Sequence, residues 1–395
     1  MKRLWVICML LTWATVSSAQ DAMEVSIKSL ADKYISKHPQ SQLVIGLIVN
    51  GRTQYFSFGK ASSESVDTTS VFEIGQITQS FTSVLFADLV IAGQISSDDS
   101  LQKYLPVDVP SPVYLPLVCK PAPKQEDNHP EMNSKNTPVF VKYTPYVCFP
   151  DPTEKQQPII LCYLSTHTSG LPDLPSNLKG VKSNPYANYS QADLYSFLRS
   201  FELTAPIGYN FRYSTLGVAL LGHVMELKTS KSYDSLLSDR FFQRLGMINS
   251  GICRQELRND KMLNGYTSKG RPSSHWTYNF FAPALGAYSN LGDMMRFLSA
   301  NMMMVKSPMK DVLDYTHNPR ILFQNKKYGE SSVALGWMVS PLNIENTTYV
   351  WQEGLTSGFA SFIGFTETTG TGVVIMTNTA DPVTEIGKEI LRKLN

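Results

Sequence analysis

Strand-forming runs stand at both ends of this chain and helix-patterned segments fill its middle, so the two ends must meet in one sheet. Near the start, Leu43–Val49 and Thr53–Gly59 flank Asn50-Gly51, a dipeptide suited to the two left-handed positions of a type I′ hairpin turn. Near the end come Ala334–Val339, Thr347–Trp351, Phe359–Thr366 and Gly372–Thr377, then a closing helix over about Val383–Leu394. Between them, apolar spacing predicts helices over Gln191–Phe201, Tyr213–Lys228, Tyr233–Leu245 and Asp293–Met304, the last opened by Asn290 or Asp293. A buried helix is expected over Ile77–Ala92, ended by Gly93. An amphipathic one is expected over Asp21–His38, with Met23, Val25, Ile27, Leu30, Ala31 and Ile35 marking its apolar face. The pattern implies an α/β (α+β) chain: a sheet domain built from 20–75 and 330–395, and a mostly helical domain from 76–329.

Ahead of this lies Lys2-Arg3, an apolar stretch from Leu4 to Val16 and the small residues Ser17-Ser18-Ala19, which read as a secretory signal peptide over 1–19. The expected location is therefore secreted or periplasmic, with no integral membrane segment. The chain carries 35 basic and 33 acidic residues. Two of the basic ones sit in the leader, so the mature protein is near neutral, against a nucleic-acid partner. Of five cysteines, Cys8 leaves with the leader. Cys119, Cys148, Cys162 and Cys253 remain, and four allow three connectivities. Pro106 to Pro158 has no clear periodicity and reads as a long surface excursion with Cys119 and Cys148 as its staple; Cys162 and Cys253 read as buried free thiols. There is no CxxC pair or HExxH stretch and the six histidines are scattered, so neither a metal nor a cofactor is expected.

Several segments resemble the class C β-lactamase, D-aminopeptidase and carboxylesterase branch of the penicillin-recognising serine hydrolases. Leu164-Ser165-Thr166-His167-Thr168-Ser169-Gly170-Leu171-Pro172-Asp173 is similar to that family's LLTHTSGLPD stretch. Pro206–Gly222, Leu245-Gly246-Met247, Leu285–Leu298 and Gly354–Phe362 extend the likeness from about residue 24 to the C-terminus, outside the cysteine excursion. The resemblance implies a β-lactamase/transpeptidase-like fold, an antiparallel sheet flanked by helices beside the helical domain.

It also implies three catalytic elements meeting in one cleft: a serine with a lysine one turn on, a Tyr-x-Asn loop, and a Lys-x-Gly or His-x-Gly strand. The strand's backbone N–H and that of the serine form the oxyanion hole. Here the first element reads Gly75-Gln76-Ile77-Thr78-Gln79, and Phe72-Glu73 before it and Phe81-Thr82 after it place Gln76 at the serine and Gln79 at the lysine. A carboxamide is neither a nucleophile nor a base near neutral pH. The second element reads Tyr213-Ser214-Thr215, keeping the phenol and replacing the amide with a hydroxyl. The third reads Gln352-Glu353-Gly354-Leu355, with an acid where a substrate carboxylate would be welcomed.

Gln76, Gln79 and Tyr213 are thus the candidate catalytic positions, and Thr215, Gln352, Gly354 and Leu355 the candidate ligand contacts. The leading expectation is a catalytically impaired homologue whose cleft holds a peptidoglycan-like peptide, a lactam or an ester. One alternative is an active hydrolase using relocated residues such as Tyr213 with Ser80. Another is a partner-binding module acting through the cysteine excursion. His167, in its Thr-His-Thr-Ser-Gly setting, reads as a packing residue rather than a base.

Overall fold

The computed structural model describes residues 23–59, 66–121, 146–151, 153–181, 183–252, 261–342 and 347–395. The expected leader and Cys253 lie outside the described residues. Eight antiparallel strands form the central sheet: β1 (Leu43–Val49), β2 (Arg52–Phe58), β3 (Ile321–Asn325), β4 (Gly329–Val333), β5 (Met338–Pro341), β6 (Thr348–Leu355), β7 (Ala360–Thr366) and β8 (Thr371–Thr377). Their order is β3-β4-β5-β6-β7-β8-β1-β2. The chain's two ends meet where β8 pairs with β1, Leu43 opposite Thr377 and Ile48 opposite Gly372.

The β1–β2 turn forms as its residues dictate. Asn50 and Gly51 take φ of 49° and 76°, the two left-handed positions that a I′ turn needs. β1 is apolar throughout because both of its faces are covered. Leu43, Ile45 and Leu47 pack with Ile27, Ala31 and Tyr34 of helix α1 (23–37) and with Leu391 of the closing helix. Val44 and Ile48 join the larger core, which contains Phe81 of α2 (Thr78–Ile91), Leu221 of α3 (Thr215–Thr229) and Leu298 of α4 (Leu291–Asn301). The closing helix is α5 (Thr384–Leu394). α2 is buried on every side from Thr78 to Leu89, so it runs through the core rather than along it. Its exit is marked by Gly93 at φ 66°.

Three expectations change. The strand expected over Ala334–Val339 is a buried turn followed by β5. Gly336 there takes φ 70°, and the Ala334 N–H donates to the Trp337 carbonyl at 2.8 Å. The helix expected over Tyr233–Leu245 passes through one π-helical stretch at Ser238–Phe242. The hairpin β3–β4 stands where no strand was expected, and so the sheet takes in residues before 330.

In the excursion, Leu117–Pro121 and Tyr146–Pro150 pair antiparallel with Cys119 opposite Cys148. The side chains of these two cysteines lie outside the described residues. Cys162 is a free, half-buried thiol within the short helix Leu161–Ser165, where burial pushes its pKa up to about 11. Among the described residues no helix is long and apolar enough to cross a membrane.

Candidate active site

A 3₁₀ turn, Gly75–Ile77, leads into α2 and delivers Gln76 to the edge of β6. β5 pairs with β6 only as far as Trp351, leaving residues 352–355 unpaired by β5 on that side. Two glycines allow the close approach. Gly75 lies at φ 53°, and a Cβ there would stand 2.6 Å from the Leu355 nitrogen. A Cβ on Gly354 would stand 1.9 Å from the Ile74 carbonyl oxygen. Ser361 ties the same loop down, its hydroxyl donating to Ile74 at 3.0 Å. The result is a direct contact: the Leu355 N–H donates to the Gln76 side-chain carbonyl, Oε1, at 2.7 Å.

Gln79, one turn on, is fully buried. Its Nε2 donates to the Tyr213 hydroxyl at 2.8 Å, while its Oε1 is buried without a hydrogen-bond partner. Tyr213 immediately precedes Ser214, the N-cap of α3, whose hydroxyl accepts from the Gly217 N–H. Burial holds the Tyr213 phenol well above the usual tyrosine range, and Tyr328 and Asp173 nearby add to this. The phenol is therefore neutral at any physiological pH and serves as a hydrogen-bonding group rather than a base.

His167 lies against Tyr213 with ring centroids 4.5 Å apart. It is 3% exposed, and its Nδ1 accepts from the Ser214 N–H at 3.1 Å. Burial lowers its pKa to about 4, only partly offset by Ser214 and Asp173. It is a neutral packing residue, which agrees with its reading from sequence.

Gln352 turns its amide inward, Nε2 donating to the Gly336 carbonyl at 3.1 Å and Oε1 accepting from the Glu353 N–H at 3.0 Å. The acid beside it is matched. Glu353 pairs with Lys327 at 2.9 Å and accepts from the Thr384 hydroxyl at 2.5 Å. Lys327 also donates to the Tyr328 hydroxyl at 2.8 Å. Although burial works against its charge, the bonds to Tyr328 and Glu353 hold the Lys327 ammonium above the usual lysine value. Lys388 of α5 sits over the Trp351 ring at 4.6 Å and pairs with Glu385 at 3.2 Å.

These groups surround a cavity of about 490 Å³ lined by Gln76, Tyr213, Gln352, Gly354 and Leu355, all singled out from sequence. Lys327, Tyr328, Trp351, Glu353, Pro382, Thr384, Glu385 and Lys388 complete the lining. Gln79 stands behind Tyr213, outside that lining. Thr215 is displaced from the role expected of it. Its hydroxyl and N–H both go to Asp173 Oδ1, at 2.6 and 3.0 Å, which fixes the start of α3 and leaves the residue 4% exposed. Ser80, the alternative nucleophile, is fully buried with its hydroxyl donating to the Gly336 carbonyl at 2.7 Å. Ser83 is spent on Ser165 at 2.7 Å. No serine or cysteine occurs among the lining residues, and among the described residues no group of three or more His, Cys, Asp or Glu could hold a metal ion.

Lys327, Lys388, Tyr328 and Glu385 escaped sequence reasoning because they come from elements that meet only in three dimensions. The one available signal was Lys326-Lys327-Tyr328-Gly329, a polar turn between two short alternating runs.

Residues 31–394 match the family model described as Beta-lactamase. A β-lactamase of Psychrobacter immobilis is 22% identical over 406 aligned residues, covering 94% of this chain and 87% of the relative. A solved class C β-lactamase shares the fold with a TM-score of 0.72 at 18% identity, covering 94% of this chain and 95% of that one. A β-lactamase/D-alanine carboxypeptidase from Pseudomonas syringae gives a TM-score of 0.72 at 18% identity over 94% and 98% of the two chains. With residues 31–394 matched by that family model and the fold shared over nearly its whole length, the chain belongs to the β-lactamase family.

Proposed function

We propose that this chain is a β-lactamase-family protein that has lost acyl transfer and keeps its cleft to hold, without turning over, a peptidoglycan-like peptide, a lactam or an ester. The observation that carries this reading is Gln76, a carboxamide at the nucleophile position, with Gln79 at the position of its base. Neither can give or accept the proton that acyl transfer requires. Losing the nucleophile alone removes about six orders of magnitude of rate in a comparable hydrolase. The relatives named β-lactamase favour an active enzyme only weakly, being 20–22% identical to this chain. An active site built on Tyr213 and Ser80 is disfavoured by the burial of Ser80 and by its bond to Gly336.

The same reading has the chain exported through the leader at 1–19, into a compartment where Cys119 and Cys148, opposite one another in their hairpin, join as a disulfide. Closing that loop stabilises by roughly 3 kcal/mol in the chain-entropy model. Non-reduced peptide mapping finds the Cys119–Cys148 bridge if this is right, whereas a Cys119–Cys162 bridge refutes it.

Fluorescent penicillin tests the function. The purified mature protein is expected to take no covalent label and to hydrolyse an activated ester no faster than heat-denatured protein. Gln76→Ser alone restores little, because a hydroxyl without a base is a poor nucleophile. Gln76→Ser with Gln79→Lys recovers slow labelling. Stoichiometric labelling of the unmodified protein at any serine sinks the proposal and restores the hydrolase.

A further inference from the structure

The residue that replaces the nucleophile does more than remove it. The backbone N–H of Leu355, which the sequence resemblance assigns to the oxyanion-hole strand, has as its partner here the carbonyl oxygen of the Gln76 side chain at 2.7 Å. An amide carbonyl on that donor is the chemical image of an ester, lactam or peptide carbonyl bound there. The contact is built into the backbone. The left-handed Gly75 and the close-packed Gly354 bring turn and strand together, and the Ser361 hydroxyl holds the Ile74 carbonyl beside them.

Gln76 also lines the cavity, so its side chain has room to leave. Gln79 cannot play this part, being fully buried and bonded to Tyr213. The ammonium groups of the cleft already carry partners of their own. Lys327 is bonded to Glu353 and Tyr328, and Lys388 to Glu385.

We propose that Gln76 is the gate of the cleft: at rest its carboxamide occupies the carbonyl-recognising donor, and a carbonyl ligand enters only by displacing it. The gate rests on the reading of a non-turning-over cleft, and it adds a rule for affinity. A ligand that must first displace an internal group binds more weakly by the fraction of molecules in which that group is already out. One net hydrogen bond in the closed state makes this factor about fivefold.

The probe is benzylpenicillin, its reversible binding to the mature protein read by calorimetry or saturation-transfer NMR, with intact mass measured in parallel. Gln76→Ala removes the carbonyl, and Gln76→Asn shortens the side chain by one methylene so that it no longer reaches Leu355. Both are expected to bind about fivefold more tightly than the parent chain and to speed hydrogen exchange at the Leu355 amide. Gln76→Glu keeps an acceptor on Leu355, adds charge and is expected to bind more weakly than the parent.

Equal affinity in the parent and both shortened variants overturns the gate. So does unchanged exchange at Leu355, or an Ala variant that takes no benzylpenicillin although its Leu355 amide has been freed. A covalent penicillin adduct on the parent is a different result. It refutes the loss of acyl transfer, while the exchange and affinity comparison still decides the gate.

Discussion

His167 illustrates how the neighbourhood of one residue sets its chemistry. Its ring lies against that of Tyr213, and burial suppresses its charge, the pKa falling from 6.5 to about 4. The unfolded chain takes up a proton below pH 6.5 that the folded chain refuses until near pH 4. Stability present at neutral pH is therefore lost as pH falls through that window, by about 2 kcal/mol on reaching pH 5. His167→Asn is the informative change, because Asn tolerates the left-handed backbone at φ 56° and can still accept from the Ser214 N–H. The variant loses ring packing against Phe211 and Tyr213, so it starts less stable. Its denaturation free energy should then fall less steeply between pH 7 and pH 5 than that of the parent. Parallel profiles would assign the acid sensitivity to other groups.

At the scale of elements, legibility followed the range of the forces involved. The β1–β2 hairpin was readable because Asn50-Gly51 specifies its own turn, and α4 because Asn290 caps it by accepting from the Asp293 N–H. The Ala334–Trp337 segment was misread as a strand because a buried turn and a buried strand are equally apolar. What decides the matter is Gly336, whose carbonyl serves both Ser80 and Gln352 from distant parts of the chain. Of the cavity lining, Gln76, Tyr213, Gln352, Gly354 and Leu355 were legible because family motifs are local in sequence. Thr215 misled because its partner Asp173 lies 42 positions away, and nothing local announces that bond. The hairpin β3–β4 was missed because its anchor is also remote: Phe323 stacks on Phe211 with centroids 4.0 Å apart, and Lys327 at the turn reaches Glu353. Phe323→Ala should free this hairpin locally by at least about 1 kcal/mol, the value of such an aromatic pair beyond its buried area. Faster amide exchange in β3 and β4, with β7 and β8 unchanged, is the expected signature. Acceleration spread evenly over the sheet would show that the hairpin belongs to the global unit.

Across the whole molecule, the sheet closes only when residues separated by most of the chain come together at β1 and β8, and α5 seals the face that they share with β7. The seal is tight at one point. Gly387 of α5 lies against Phe362, and an added Cβ would fall 2.2 Å from the Phe362 ring. Phe362 cannot retreat easily, being fully buried and stacked on Trp351 with centroids 6.0 Å apart. Two effects of opposite sign therefore meet in Gly387→Ala. In a helix interior the change gains about 1 kcal/mol of propensity. Overpacking a dense core costs about 1–3 kcal/mol, and more where the obstructing group is a ring with no free rotamer. The seated helix makes the second term the larger. The variant is expected to melt about 1–3 °C below the parent, with Trp351 fluorescence changing in the folded state because its stacking partner has been pushed. A variant that melts higher than the parent would mean that helix propensity wins, and that α5 rides on the sheet more loosely than its contact with Phe362 implies.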